Sequence, residues 1–138
     1  MLFRSRQFAV DAGGIEGSLE VDTRAGEISA DRIGGDCSLV TGGGDIRVGT
    51  VGGGLHCSSQ AGKIQVGTVR GAAILETLGG DITGADMGGT VRAETGGGGI
   101  HIIKAGGAVS AGTGGGQIIV DSASGIVTAR NKIGRAHV

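Results

Sequence analysis

Apolar and polar residues alternate along this chain in short bursts that return every nine residues. Ile46 and Val48 are followed by Leu55 and Cys57, Ile64 and Val66 by Ala73 and Leu75, each pair separated by one residue, which is polar at Arg47, His56 and Gln65. Alternation over so few residues is what a strand with one buried face requires. Two successive bursts make a unit of 18 residues, and that unit recurs from Gln7 to Lys132 without insertion or deletion. In register, the copies begin at Gln7, Ala25, Gly43, Ala61, Gly79, Gly97 and Gly115, and the fourth residue of each is Val or Ile. The eleventh is always glycine: Gly17, Gly35, Gly53, Gly71, Gly89, Gly107 and Gly125. A fixed period of this size marks a solenoid, whose units bury their apolar faces only by stacking.

The pattern therefore predicts an all-β, single-domain parallel β-solenoid of about seven 18-residue coils, two short strands per coil. At about 4.8 Å per coil the rod is roughly 34 Å long. Glycines at position two and position eleven punctuate the strands, and positive φ, which glycine tolerates, is the expected reason for them. Position nine forms a third apolar file (Ile15, Ile33, Val51, Val69, Met87, Ala105, Ala123) and is placed at the corner between the two faces. Residues 1–6 are read as a lead-in, 7–132 as the solenoid. Residues 133–138, Ile-Gly-Arg-Ala-His-Val, spell a translated sequencing adapter and are set apart from the fold, with the native chain expected to continue beyond Asn131.

Composition narrows the class. Thirty-three glycines in 138 residues, no proline and two aromatics are far from an average globular chain, yet the glycines lack the three-residue spacing of collagen. A net charge of -1 and the scarcity of aromatics give no footing for nucleic acid. No apolar run approaches the roughly 18 residues of a membrane span, so this segment is not expected to contact a membrane itself. Both end coils should expose unpaired backbone, which predicts end-to-end self-association.

The runs Thr41-Gly42-Gly43-Gly44-Asp45-Ile46 and Thr77-Leu78-Gly79-Gly80-Asp81-Ile82 are similar to the nonapeptides of calcium-binding β-rolls, but Lys63 stands where the intervening ligand should be. Asp45, Lys63 and Asp81 are read instead as an alternating charge ladder on the surface. Gly96 to Gly99 precede no helix and no Gly-Lys-Ser/Thr, so a phosphate loop is not expected. His56 and His101 fall on opposite faces and cannot share a metal. The file Thr23, Thr41, Ser59, Thr77, Thr95 and Thr113 is assigned to hydroxyls that close the bend before the glycines, since an ice-binding face would need paired files. Cys37 and Cys57 point inward from adjacent coils with Cα atoms near 8 Å apart, beyond the roughly 7 Å limit of an unstrained disulfide, and are expected as free buried thiols. No catalytic, cofactor-binding or metal residue is assigned.

Two enzyme classes share this architecture. The hexapeptide acyltransferases repeat an aliphatic residue every six, and here that hexad fails, with mostly glycine at position ten and a mixture including Asp22, Glu76 and Glu94 at position sixteen. Polysaccharide-cleaving β-helices build their sites on long irregular loops, for which uniform coils leave no room.

The phrases Val21-Asp22-Thr23-Arg24-Ala25-Gly26-Glu27-Ile28, Thr41 to Ile46 and Leu78-Gly79-Gly80-Asp81-Ile82 resemble the bacterial adhesin-type family of glycine-rich β-strand repeats, a domain of unknown function also called the toast-rack domain. The resemblance covers nearly all of residues 7–131. It implies a cell-envelope or extracellular location, an unknown surface or envelope partner and no catalytic residues. The expected function is then a non-enzymatic structural or adhesive scaffold without cofactors. The alternative is a fragment of a carbohydrate-active or acyl-transferring β-helix whose site lies in a missing segment.

Overall fold

The computed structural model describes residues 2–5, 10–15, 17–24, 26–131 and 136–137. Its first eight strands are β1 (Leu2–Ser5), β2 (Val10–Ile15), β3 (Leu19–Thr23), β4 (Ile28–Ile33), β5 (Cys37–Thr41), β6 (Ile46–Val51), β7 (Leu55–Ser59) and β8 (Ile64–Val69). The remainder are β9 (Ala73–Thr77), β10 (Ile82–Met87), β11 (Val91–Thr95), β12 (Ile100–Ala105), β13 (Val109–Thr113), β14 (Ile118–Ala123), β15 (Val127–Asn131) and β16 (Ala136–His137). Odd strands form one eight-stranded sheet and even strands the other, each in sequence order and parallel throughout. Each strand pairs with the one a full coil away, so every register partner lies 18 residues off: Ile46 with Ile64, Leu55 with Ala73, Val91 with Val109. The chain is a parallel β-solenoid.

Alternation decides which residues enter the core. In the five-residue strands the burial pattern is strictly alternate, as in β3, where Leu19, Val21 and Thr23 are buried and Glu20 and Asp22 exposed. The six-residue strands depart from it. In β6, Ile46, Val48 and Val51 are buried while Gly49 and Thr50 both face outward, and the same two-residue outward step occurs in β8. Position nine is therefore the inward residue that ends the longer strand, at the edge of the bend between the two sheets. One continuous core results, from Leu19 to Val120. It thins toward the C-terminal coils, where Ala93, Ala111 and Ala129 occupy the place held earlier by Val21, Leu39 and Cys57. At Gly84, where an inward side chain is missing, Met87 Cε and Ile102 Cδ1 fill the space.

Glycine at the bends answers to steric approach. At Gly44, Gly62, Gly80, Gly98 and Gly116 the backbone is outside the positive-φ region, against the expectation from sequence, but a Cβ at each would collide with the carbonyl oxygen of the glycine one coil earlier. Backbone rests on backbone there, and only glycine lets the coils come that close. The ladder continues around the bends as well: Gly53 N donates to Gly35 O and Gly71 N to Gly53 O, both at 3.1 Å.

The ladder reaches beyond residues 7–132. Within the expected lead-in, Leu2–Ser5 form β1 and pair with β3 at the same 18-residue offset. Ala136 and His137 pair with Ile118 and Ile119, again 18 residues away. Residues 133–135 and 138 lie outside the described residues.

Candidate functional site

The threonine file lies at the seam where one coil ends and the next begins. Its members end the five-residue strands facing inward, all of them buried. Thr41 Oγ1 donates to Gly26 O at 3.0 Å and accepts from Gly44 N at 3.3 Å. Ser59, Thr77, Thr95 and Thr113 repeat both bonds with Gly44/Gly62, Gly62/Gly80, Gly80/Gly98 and Gly98/Gly116. One hydroxyl thus ties the first bend of its own coil to the first bend of the next, the bend-closing role expected from sequence. Thr23 Oγ1 is the one buried side-chain polar atom among the described residues without a hydrogen-bond partner.

Aspartates at the bends serve the backbone too. Asp45 Oδ1 accepts the N–H of Lys63 at 2.9 Å, Asp81 Oδ1 that of Gly99 at 2.8 Å and Asp36 Oδ1 that of Gly54 at 2.9 Å. Each carboxylate caps the same position one coil later. The alternating charge ladder read from Asp45, Lys63 and Asp81 is thus corrected: Asp45 holds the Lys63 amide, and among the described residues the Lys63 ammonium forms no ion pair. A carboxylate one coil from a backbone N–H has a fixed donor at hydrogen-bonding range, whereas an exposed ammonium on a long stem gains little by being held.

His56 and His101 lie outward on opposite sheets, as the repeat register requires. His101 Nε2 is 3.0 Å from Asp121 Oδ2, a solvent-exposed pair. Among the described residues no three His, Cys, Asp or Glu side chains converge as metal ligands do. Cys37 and Cys57 are free and buried, one coil and two residues apart, with Cys37 opposite Leu55 and Cys57 opposite Leu39. Burial pushes the Cys37 thiol up to about 12, and burial also holds the Cys57 thiol well above its ordinary value, the nearby Cys37 adding to the effect. Both side chains are neutral core residues, not nucleophiles.

The surface carries several depressions. An open groove of about 600 Å³ crosses the odd-numbered sheet, with Glu20, Asp36, Ser38, His56 and Ile74 among its lining residues. A smaller cleft of about 290 Å³ lies where β4, β6 and β8 begin and is lined by charged and amide side chains, Arg47 and Lys63 among them. Sequence reading passed over this cleft, because its members on neighbouring coils are separated by 16 to 20 residues and meet only through the coil offset. No protein-family model, no curated protein and no solved structure matches the chain.

Proposed function

We propose that the chain is a non-enzymatic β-solenoid that serves as a structural and adhesive scaffold at a bacterial cell envelope or surface. The observation that supports this reading is the uniformity of the coils. Each carries a six-residue and a five-residue strand joined by short bends, and among the described residues no loop interrupts the stack from β3 to β15. Outward residues consequently stand in straight files at the strand spacing, such as Ser38, His56 and Ile74 on one sheet and Arg47, Gln65 and Thr83 on the other. Flat, repeating files suit contact with another extended surface, while catalysis favours groups that converge from several directions into an enclosed pocket. The envelope location rests on the family resemblance of the glycine-rich phrases.

The test is to express the intact gene in its bacterial host and follow the protein through fractionation and protease treatment of whole cells. Recovery in the envelope fraction with protease-accessible coils is the expected result. Recovery in the cytosol, shielded from protease until lysis, overturns the scaffold's placement.

A further inference from the structure

Where β4, β6 and β8 begin, three neighbouring coils carry side chains that the later coils lack. Glu27, Asp45 and Lys63 form one file, and Ser29, Arg47 and Gln65 form the next, two residues further along the strands. Together they enclose the cleft of about 290 Å³ over the buried Ile28 and Ile46. In the following coils the same two positions hold Asp81 and Thr83, Gly99 and His101, then Gln117 and Ile119, so no arginine or lysine stands there after the fourth coil.

The charges in this cleft decide what would fit. Among the described residues neither the Arg47 guanidinium nor the Lys63 ammonium forms an ion pair, although Glu27 and Asp45 line the same space. One oxygen of Asp45 is already committed to the Lys63 amide. Two cations and two carboxylates cancel, so a bare inorganic anion meets as much repulsion as attraction, and a bare metal ion fares no better. A molecule with one carboxylate flanked by hydroxyls uses every group. Its carboxylate takes the paired donors of Arg47 and the Lys63 ammonium. Its hydroxyls donate to Glu27 and to the remaining oxygen of Asp45, and accept from the Gln65 amide and the Ser29 hydroxyl. The volume, at the lower end for ligand pockets, suits one ring and not a long segment of polymer.

We propose that this cleft binds a uronic acid residue of an acidic polysaccharide, an inference that rests on the surface-contact reading above and names the class of molecule contacted. The probe is D-glucuronate, titrated into the uniformly ¹⁵N-labelled chain and followed by two-dimensional NMR, with D-glucose and inorganic phosphate in parallel titrations. Glucuronate should shift the amides of residues 27–29, 45–47 and 63–65 with saturation in the millimolar range. Glucose, which lacks the carboxylate, should bind at least about tenfold more weakly, as should Arg47→Gln and Lys63→Gln toward glucuronate. Both substituted side chains face solvent, so the rest of the spectrum should remain in place, and His56→Gln on the opposite sheet should bind normally. No shifts in the cleft, a glucose response equal to that of glucuronate, or phosphate binding as tightly as glucuronate each overturns the proposal. A cleft that fails to bind in a surface-located protein removes the ligand and leaves the scaffold, whereas a cytosolic protein that binds glucuronate removes the scaffold and leaves the cleft.

Discussion

Replacing Thr77 by valine removes one hydroxyl and almost nothing else, which makes it the cleanest probe of what joins the coils. Thr77 is 5% exposed, donates to Gly62 O at 3.0 Å and accepts from Gly80 N at 3.3 Å. In the valine variant a buried carbonyl and a buried amide both lose their partner. Each orphaned group costs about 1–3 kcal/mol, and the longer bond belongs at the low end, so the loss is about 2–4 kcal/mol. The added methyl returns roughly 0.8 kcal/mol through burial. A net destabilisation of about 1.5–3 kcal/mol follows, or about 6–12 °C in Tm at about 4 °C per kcal/mol, between the values for smaller and larger domains. Thr77→Ser is the matched control, because Ser59 already makes the same two bonds one coil earlier. Serine should lose only the methyl contact and melt about 3 °C below wild type. Thr23→Val should cost less than Thr77→Val, since Thr23 Oγ1 has no partner to forfeit among the described residues. Circular dichroism melts of the three variants decide the matter. A Thr77→Val protein that melts within about 2 °C of wild type, or above the serine variant, refutes the role given to the hydroxyl file.

Adjacent glycines should respond in opposite ways: Gly80→Ala drives a methyl into the Gly62 carbonyl and should lower stability by more than about 3 kcal/mol, whereas Gly79→Ala meets nothing within 4 Å and should be neutral in the same denaturation assay. The cysteines should resist thiol reagents until the chain is denatured, and a mass two daltons light with a linked Cys37–Cys57 peptide would contradict the register. Their raised pKa values also set a sign. Above about pH 9 the unfolded thiols ionise while Cys37 stays protonated up to about 12, so the folded state holds more protons and stability falls through that window. The slope between pH 8 and pH 11 should flatten in a Cys37→Ala/Cys57→Ala variant, and an unchanged slope would sink the assignment. Finally, β1, β2, β15 and β16 stand at the outer ends of the two sheets, so light scattering should show mass growing with concentration, and a strict monomer would refute end-to-end association.

Sequence reading reached the architecture because each coil repeats the same inward residues at a fixed offset. Ile28, Ile46, Ile64, Ile82, Ile100 and Ile118 stack in one file, and a period free of insertions leaves a parallel solenoid as the arrangement that aligns them. Thr41 and its counterparts were legible for the same reason, as a polar file directly before glycines. The reason for Gly44 and Gly80 was not legible, since a composition rule cannot distinguish a glycine needed for positive φ from one needed for contact between coils. Asp45 and Lys63 looked like an ion pair because opposite charges alternate, but their sequence spacing hides the backbone amide that lies nearer to the carboxylate. The extension of the longer strand to position nine was not legible, because two outward residues in a row, such as Gly49 and Thr50, break the alternation by which a strand is read. The cleft of Arg47 and Lys63 carries no local motif and emerges only when three coils are stacked.

The central claim is the parallel 18-residue register, and through-space NMR contacts between backbone protons read it directly. Uniformly labelled protein should show cross-strand contacts at i and i+18 throughout both sheets, for example from Ser38 to His56 and from His56 to Ile74. Contacts whose residue numbers instead share a constant sum, as antiparallel strands give, would contradict the account.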